Sequence, residues 1–203
     1  MKNKVNKIVE AVIAITVIAS GMVVKSNADS YVYYNCLPTE CVDDGKVDYS
    51  HNIDIDLQRY INNLCRNNKY ISPELLYAIM SYESGYDKQH IVANKYYGLM
   101  QIDKSYFRSL ADRTGMEINE KTILYTYTNV RCGYELLNLC IEYFRERGYA
   151  EDELLYIAVS AYGRGIGYTE ECLKNNESKC LYADNVIAMY DYIMNYQEAF
   201  VMK

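Results

Sequence analysis

The stretch "YESGYDKQHIVANKYYGLMQI", residues 82–102, places one carboxylate, Glu83, where an apolar helix should end. Upstream, "SPE" at 72–74 has the marks of a helix start: a capping serine, a proline at the first position and an acid in the first turn. Gly85 fits the C-terminal cap of that helix. The negative end of the helix dipole and apolar neighbours both disfavour a charged carboxylate, so we expect the pKa of Glu83 to be raised. A carboxyl group that stays protonated near neutral pH can serve as a general acid.

Apolar residues recur at helical spacing along most of the remaining chain. The pattern predicts further helices over residues 57–65, 104–115, 130–148, 151–162 and 183–196. Glycines at 163, 165 and 167 are expected to interrupt the chain after the fourth of these helices. Residues 86–102 show no helical period and are expected to form a small hairpin or loop. The sequence therefore predicts a mainly α fold, a single helical domain with a small loop or hairpin.

Composition limits the class of protein. The 203 residues suffice for one domain with a real core, and half of them are hydrophobic, which argues against disorder throughout. The formal net charge is −6, and an acidic surface repels phosphate backbones, so no nucleic-acid partner is expected. The 24 tyrosines suit a core, a half-buried surface or a polar ligand groove. No cofactor is expected.

The N-terminus has the three-part pattern of a secretory signal peptide. A lysine-rich start precedes an apolar run from Ala11 to Val24, and small residues follow before a cleavage site after Ala28. The predicted organisation is a signal peptide at 1–28, a polar lead-in at 29–52 and the functional domain at 53–203. We expect an exported protein of the cell wall, the extracellular space or the periplasm. Retention of the signal as an uncleaved anchor is the alternative, and only then would the chain be attached to a membrane.

Seven cysteines in an exported protein suggest disulfides. The expected local pairs are Cys36 with Cys41 and Cys172 with Cys180. Cys132 and Cys140 lie on one predicted helix, ~12 Å apart at 1.5 Å per residue, which is too far for a disulfide between them. The chain has no Cys-x-x-Cys pair and only two histidines, so no metal site is expected.

Five short motifs occur in an order that carries a family resemblance. They are "ESGYD" at 83–87, "YGLMQI" at 97–102, "NVRCGYELL" at 129–137, "SAYGRGIG" at 160–167 and "YADNVIAMY" at 182–190. Together they resemble the catalytic region of the lytic transglycosylase (SLT-domain) family, relatives of goose-type lysozyme, over roughly residues 70–195. The resemblance implies a lysozyme-like α+β domain with the hairpin beside an active-site groove.

The resemblance also implies an activity and a set of catalytic roles. Glu83 would be the single acid/base, Ser84 would help to hold it, Tyr162 would lie beside it and Tyr182 would orient it by a hydrogen bond. The implied substrate is the glycan strand of peptidoglycan, cut between N-acetylmuramic acid and N-acetylglucosamine. In this family the C6 hydroxyl of the muramic acid displaces the leaving group and gives a 1,6-anhydro product. A cell-envelope secretion or conjugation machine is a further partner that such an enzyme could serve.

The same resemblance assigns the groove wall. Its members would be Gly98, Leu99, Met100, Gln101 and Ile102, with Met100 and Gln101 nearest the sugar. One position departs from the family pattern, because Gly163 stands where the family usually has an asparagine. The missing amide contact to the substrate would then be absent or supplied elsewhere, for which Asn94 is a candidate.

Two other functions remain open from the residues alone. A muramidase that uses water would need a second carboxylate, for which Asp87 and Asp103 are the candidates by position. A non-catalytic glycan-binding domain could keep the same scaffold. An intact "ESG" around Glu83 argues against the binding domain, because binding alone does not need an acid of raised pKa.

Overall fold

A computed structural model describes the backbone of residues 53–201 and of two short strands at 40–41 and 47–48, with side chains described for residues 53–195. The predicted signal peptide at 1–28 and Cys36 lie outside these residues, so the predicted pair of Cys36 with Cys41 lies outside what is described. Within the described part, no helix combines the length and apolar character needed to cross a bilayer.

The described part of the chain is mostly helical, which confirms the predicted fold class. Its α-helices are α1 (Ile55–Cys65), α2 (Pro73–Ser84), α3 (Phe107–Thr114), α4 (Thr126–Glu146), α5 (Glu151–Arg164), α6 (Ile166–Lys174) and α7 (Leu181–Val201). Short 3₁₀ turns occupy Lys104–Tyr106 and Thr122–Leu124. Strands β1 (Glu40–Cys41) and β2 (Val47–Asp48) pair with each other in antiparallel register.

A three-stranded antiparallel sheet follows α2, where the sequence predicted a small hairpin or loop. Its strands are β3 (Ile91–Val92), β4 (Tyr96–Tyr97) and β5 (Ile102–Asp103), in the order β3-β4-β5. Tyr97 lies opposite both Ile91 and Ile102, and Tyr96 lies opposite Asp103. The sheet is short, and it forms one side of the groove described below.

Helix α2 begins and ends as its sequence predicts. The Ser72 hydroxyl accepts a hydrogen bond from the backbone N–H of Leu75, and a proline occupies the first helical position. Gly85 adopts the left-handed conformation, with φ of 56°, and its N–H donates to the carbonyl of Ser81. A residue with a side chain would be strained at this φ, so glycine is the residue that lets the chain turn here. The turn leaves Glu83 in the last turn of the helix.

The core surrounds α2, whose residues 75–81 are all buried. Helix α2 packs against α7, α7 packs against α5, and α5 packs against α4. Side chains such as Tyr77, Leu76 and Phe144 are fully buried, and burial of each contributes about 1.5–3 kcal/mol. Glu83 thus stands at the end of a helix whose central residues are all buried.

The end of α5 and the segment after it differ from the sequence prediction. Helix α5 continues through Gly163 and ends at Arg164. The helix is broken at Gly165, which has a φ of 90°. A helix that the sequence did not predict, α6, begins at the next residue. Glycine lowers helix propensity by only about 1 kcal/mol, so one glycine did not end α5 while Gly165, at positive φ, did.

The predicted disulfide between Cys172 and Cys180 is not formed. Both residues are free, buried thiols, as are Cys65, Cys132 and Cys140. Cys180 packs into the main hydrophobic core, whereas Cys172 is buried on α6 outside that core. Proximity in sequence was therefore not enough to predict a disulfide here. Burial raises the pKa of Cys132 and Cys140 to about 12, which keeps both of these thiols protonated.

Candidate active site

A groove of about 390 Å³ opens at the C-terminal end of α2. Its lining includes Glu83 and Tyr82 from α2, Tyr96 and Asp103 from the sheet, Tyr162 from α5 and Tyr182 from α7. The volume lies within the range of small-ligand sites, and tyrosines are well suited to bind a sugar because each offers a flat apolar face and one polar atom. The groove is thus walled by four elements, of which α5 and α7 are distant in sequence from α2 and the sheet.

Glu83 is the carboxyl group of this groove whose environment favours the protonated form. Burial raises its pKa from the ordinary value of 4.5 to about 7, and a hydrogen bond from Tyr182 opposes that shift. The Tyr182 hydroxyl donates to Oε1 of Glu83 at 2.7 Å. At neutral pH a substantial share of the molecules therefore holds a neutral carboxyl group in a fixed orientation, ready to donate a proton into the groove.

The position of Tyr182 is set by close packing on both sides of its ring. Tyr82 meets the ring edge-on, with 5.1 Å between ring centroids. Behind the ring lies Gly163, where an added Cβ would come within 3.0 Å of the Tyr182 ring carbons. Burial raises the pKa of Tyr182 well above its usual range, so its hydroxyl keeps its proton and remains a donor to Glu83.

Gly163 replaces the asparagine expected from the family pattern, and the structure gives a steric reason for the departure. The ring of Tyr182 fills the space that any side chain at 163 would need. Asn94 does not supply the missing amide. It lies in the turn between β3 and β4, its Oδ1 accepts a hydrogen bond from the Tyr97 hydroxyl at 2.8 Å, and it is absent from the groove lining. The suggestion that Asn94 substitutes for the family asparagine is therefore wrong.

The segment "GLMQ" at 98–101 is held in place by hydrogen bonds to its backbone carbonyls. The Ser84 hydroxyl lies 2.8 Å from the Leu99 carbonyl and 3.1 Å from the Met80 carbonyl, and it donates to these rather than to Glu83. The Tyr162 hydroxyl donates to the Met100 carbonyl at 2.7 Å. These contacts join the end of α2 and the middle of the groove to one rigid loop.

Asn129 and Gly133, one turn apart on α4, form the seat of that loop. The Asn129 side chain accepts from the Met100 N–H at 2.8 Å and donates to the carbonyls of Tyr97, at 2.8 Å, and Ile123, at 3.0 Å. An added Cβ at Gly98 would come within 3.0 Å of the Asn129 amide, and one at Gly133 would come within 3.0 Å of the Met100 side chain. The four-residue spacing of Asn and Gly in "NVRCGYELL" is the sequence signal for this seat, because it puts both residues on one helix face.

This seat corrects the sequence assignment of the groove wall. Leu99 and Met100 are fully buried in the core, and neither they nor Gly98 nor Ser84 lines the groove. Met100 in particular cannot contact a sugar with its side chain, because that side chain packs on Gly133 of α4. These four residues position the site from behind.

Gln101 is the member of "GLMQ" that does face the groove. Its φ of 45° turns the chain, and its amide nitrogen donates to the carbonyls of Gly98, at 2.8 Å, and His90, at 3.1 Å. Both amide protons are thereby used, which leaves the amide oxygen to accept a hydrogen bond from a ligand.

The two other carboxylates named from the sequence differ in placement. Asp87 is exposed, accepts from the N–H of Gln89 and does not line the groove. Asp103 does line it, at the edge of the sheet. Burial opposes ionisation of Asp103, but hydrogen bonds from Ser105 and Lys95 outweigh burial and lower its pKa. Its Oδ1 accepts from the Ser105 N–H at 2.8 Å, and its Oδ2 lies 3.1 Å from Nζ of Lys95. Asp103 is therefore an ionised, paired group, unlike Glu83.

Among residues 53–195, no cluster of three or more His, Cys, Asp and Glu side chains could hold a metal ion.

Comparison with known proteins gives a family and a fold. The family model described as "Transglycosylase SLT domain" matches residues 61–184, more than half of the chain. Among solved structures, an inactive glutamate-to-glutamine mutant of the lytic transglycosylase Slt from Pseudomonas aeruginosa matches with a TM-score of 0.52 and 17% sequence identity. The match covers 75% of this chain and 25% of that one, so the chain spans about a quarter of the length of Slt. At this identity the likeness concerns the fold alone. No curated protein sequence gives a significant match.

Proposed function

The chain belongs to the transglycosylase SLT domain family, and from that premise we propose that it is a peptidoglycan lytic transglycosylase. We propose further that it cuts the β-1,4 bond between N-acetylmuramic acid and N-acetylglucosamine and leaves a 1,6-anhydro end on the muramic acid. The single observation that carries the proposal is the neutral Glu83, which lines the groove and accepts a hydrogen bond from Tyr182.

In the proposed reaction Glu83 acts twice. Its carboxyl proton passes to the glycosidic oxygen as the bond from that oxygen to C1 of the muramic acid breaks, which releases the N-acetylglucosamine end as an alcohol. The C6 hydroxyl of the same muramic acid then forms a bond to C1 and gives its proton to the Glu83 carboxylate. The carboxyl group is restored, and no water is consumed. An internal nucleophile also avoids the entropic cost of bringing a second molecule into the site.

Tyr182 and the tied loop support this double role. Tyr182 holds one carboxyl oxygen in place before and after the proton leaves, and its hydrogen bond stabilises the carboxylate formed in between. Gln101 offers a further acceptor to a ligand, and Tyr162 lines the groove while its hydroxyl holds the Met100 carbonyl. A carboxyl group with a pKa near the operating pH is suited to both donating and accepting a proton.

Hydrolysis by the same groove is the second candidate, and Asp103 is the observation that favours it. Inversion would need a base that activates water ~6.5–9.5 Å from the acid, and retention would need a nucleophile at ~5–5.5 Å. Asp103 lines the groove, but it already binds Lys95 and caps the 3₁₀ turn that follows it. Its paired, low-pKa state makes it a poor base, so we favour the internal hydroxyl.

The proposal is tested by Glu83→Gln, with Asp103→Asn as the matched variant. Release of soluble fragments from sacculi should fall by ~10²–10⁴ or more in Glu83→Gln, because the general acid is lost, while the variant still binds a chitin oligosaccharide. Asp103→Asn should retain cleavage. If Glu83→Gln clears sacculi like the wild type, the proposed function is wrong. If Asp103→Asn is folded but inactive and Glu83→Gln is active, the result would support hydrolysis that depends on Asp103. If the wild-type protein binds glycan strands but cleaves none of them, the result would support a non-catalytic glycan-binding domain.

We also propose that the protein acts outside the cytoplasmic membrane, where peptidoglycan lies. The lysine-rich start and the apolar run up to Val24 support export. N-terminal sequencing of the exported protein should give Asp29 as the first residue, and an intact segment 1–28 would indicate a membrane anchor instead.

A further inference from the structure

Arg164 is a groove residue that the proposed reaction does not use. It is the last residue of α5, directly before the break at Gly165, and it lines the groove together with Glu83 and Tyr182. Its Nε donates to the Thr169 hydroxyl at 3.2 Å, and one terminal nitrogen, Nη1, donates to the Lys179 carbonyl at 3.4 Å. The guanidinium carbon also lies over the Tyr168 ring, 5.5 Å from its centroid. These contacts hold the guanidinium group at the groove without pairing its charge with a carboxylate.

The positive charge of Arg164 is uncompensated. Within the described residues it forms no ion pair, whereas the other cation of the groove, Lys95, is paired with Asp103. Glu83 does not compensate Arg164 while its carboxyl group is protonated. In the state that binds substrate, the groove therefore has one unpaired positive charge, although the whole chain has a net charge of −6.

The guanidinium group also lacks a full set of acceptors. The second terminal nitrogen, Nη2, is buried and has no hydrogen-bond partner. An unsatisfied buried donor is costly, and more so when it is charged. A carboxylate in the groove would supply two acceptor oxygens to a planar fork of N–H groups, which is the geometry that arginine binds best. Because Nη2 is buried, the guanidinium group would have to turn toward the groove and release a contact to Thr169 or Lys179 to bind such a ligand.

We propose that Arg164 binds a carboxylate carried by the muramic acid substituent of the strand, and so determines which strands the enzyme cuts. This inference rests on the proposed function. Two sources share the chemistry: the stem peptide, where it is still attached, and the free lactyl carboxylate of a strand from which the peptide has been removed. The glycan backbone itself is neutral, so it provides no partner for this charge.

The test compares Arg164→Gln and Arg164→Lys with the wild type on three forms of the same strands. These forms carry intact stem peptides, have been stripped of peptides by an amidase, or have had their carboxylates coupled to methylamine. A hydrogen-bonded charge pair of this kind corresponds to about a 10- to 100-fold change in kcat/KM, mainly through KM. We expect Arg164→Gln to lose that factor on the strands with the recognised carboxylate, and Arg164→Lys to regain part of it.

The outcomes separate the two sources and the competing explanations. Loss on peptide-bearing strands identifies the stem peptide, and loss on stripped strands identifies the lactyl group. On methylamine-coupled strands the wild type and Arg164→Gln should be equal. Equal loss on all three forms would show that Arg164 only ties α5 to Thr169 and would overturn the inference, as would no loss on any form.

Two controls keep the result interpretable. Arg108→Gln removes an exposed charge on α3, away from the groove, and should leave all three rates unchanged. The unfolding midpoint of each Arg164 variant checks that the domain is intact. If the wild type cleaves none of the strands, the proposed function fails and the inference fails with it. If the wild type cleaves and Arg164→Gln behaves like it, the inference alone is refuted.

Discussion

Replacing Glu83 by glutamine should make the protein more stable at alkaline pH, because the carboxyl group of Glu83 is held against ionisation. Its pKa is about 7 in the folded chain against an ordinary value of 4.5. Between these two values the folded state binds the proton that the unfolded state has released, so wild-type stability falls as pH rises through this window. One pKa unit corresponds to about 1.4 kcal/mol, so the shift from 4.5 to about 7 gives a loss of at most about 3.5 kcal/mol above pH 7. The groove is open to solvent on one side, so the loss should be smaller than this limit.

Glutamine at 83 has no charge to lose, and its amide oxygen can accept the hydrogen bond from Tyr182 as the carboxyl oxygen does. Urea unfolding at pH 5 should therefore give similar free energies of unfolding for the wild type and Glu83→Gln. At pH 8.5 the variant should be more stable by about 1–3 kcal/mol, on the scale of one pKa unit per 1.4 kcal/mol.

The matched control is Glu146→Gln, which removes an exposed carboxylate from the last turn of α4. Subtracting its pH dependence from that of Glu83→Gln isolates the effect of burial in the groove. If the difference between Glu83→Gln and the wild type stays constant from pH 5 to pH 8.5, Glu83 is not held neutral and the reasoning is refuted.

Three further predictions follow from the contacts of the site. Tyr182→Phe removes the donor to Glu83, so kcat should fall with little change in KM. Because this hydrogen bond lowers the pKa of Glu83, its loss should move the alkaline limb of the pH–rate profile to higher pH, and an unchanged limb would contradict the contact. Gly163→Ala places a methyl group against the Tyr182 ring, and the displaced ring should lower kcat and cost about 1–3 kcal/mol of stability in urea unfolding; wild-type rates would show that the ring is not held there. Asn129→Ala leaves the Met100 N–H and two carbonyls without their partner. The free energy of unfolding should fall by about 1–3 kcal/mol for each unsatisfied group. A total fall below about 1 kcal/mol in urea unfolding would mean that the loop does not need the Asn129 contacts.

Local signals in the sequence were enough to predict α2 and the position of Glu83. Ser72, Pro73 and Gly85 act within one or two turns of their own positions, so their effects can be read without knowledge of the rest of the fold. A small hairpin or loop after α2 was also predicted, because residues 86–102 lack a helical period, and the three-stranded sheet lies there. The mainly helical class follows from such local patterns.

The misassigned residues are those whose surroundings depend on distant parts of the chain. Met100 was expected to contact the sugar, but Gly133 on α4 leaves a space that takes its side chain into the core. Gly163 was taken as a missing amide and a helix break, but it lies within α5, where the ring of Tyr182 from α7 packs against it. No pattern near residue 100 or residue 163 reveals either contact.

Arg164 could not be selected from the sequence, although it lines the groove. It stands in a run of glycines that gives no reason to single it out, and its significance appears only when the groove is assembled. There it shares the groove lining with the paired Lys95 and with Glu83, and one of its nitrogens is unsatisfied.

The most direct test of the central claim is mass spectrometry of the fragments that the wild-type protein releases from sacculi. Attack by the internal C6 hydroxyl consumes no water, so each new muramic acid end should be a 1,6-anhydro sugar, 18 Da lighter than the reducing sugar and resistant to borohydride. We predict that the new ends are anhydro, with Glu83 as the acid and base. Fragments that end in a free, borohydride-reducible muramic acid would contradict this account and would make Asp103 the next residue to test.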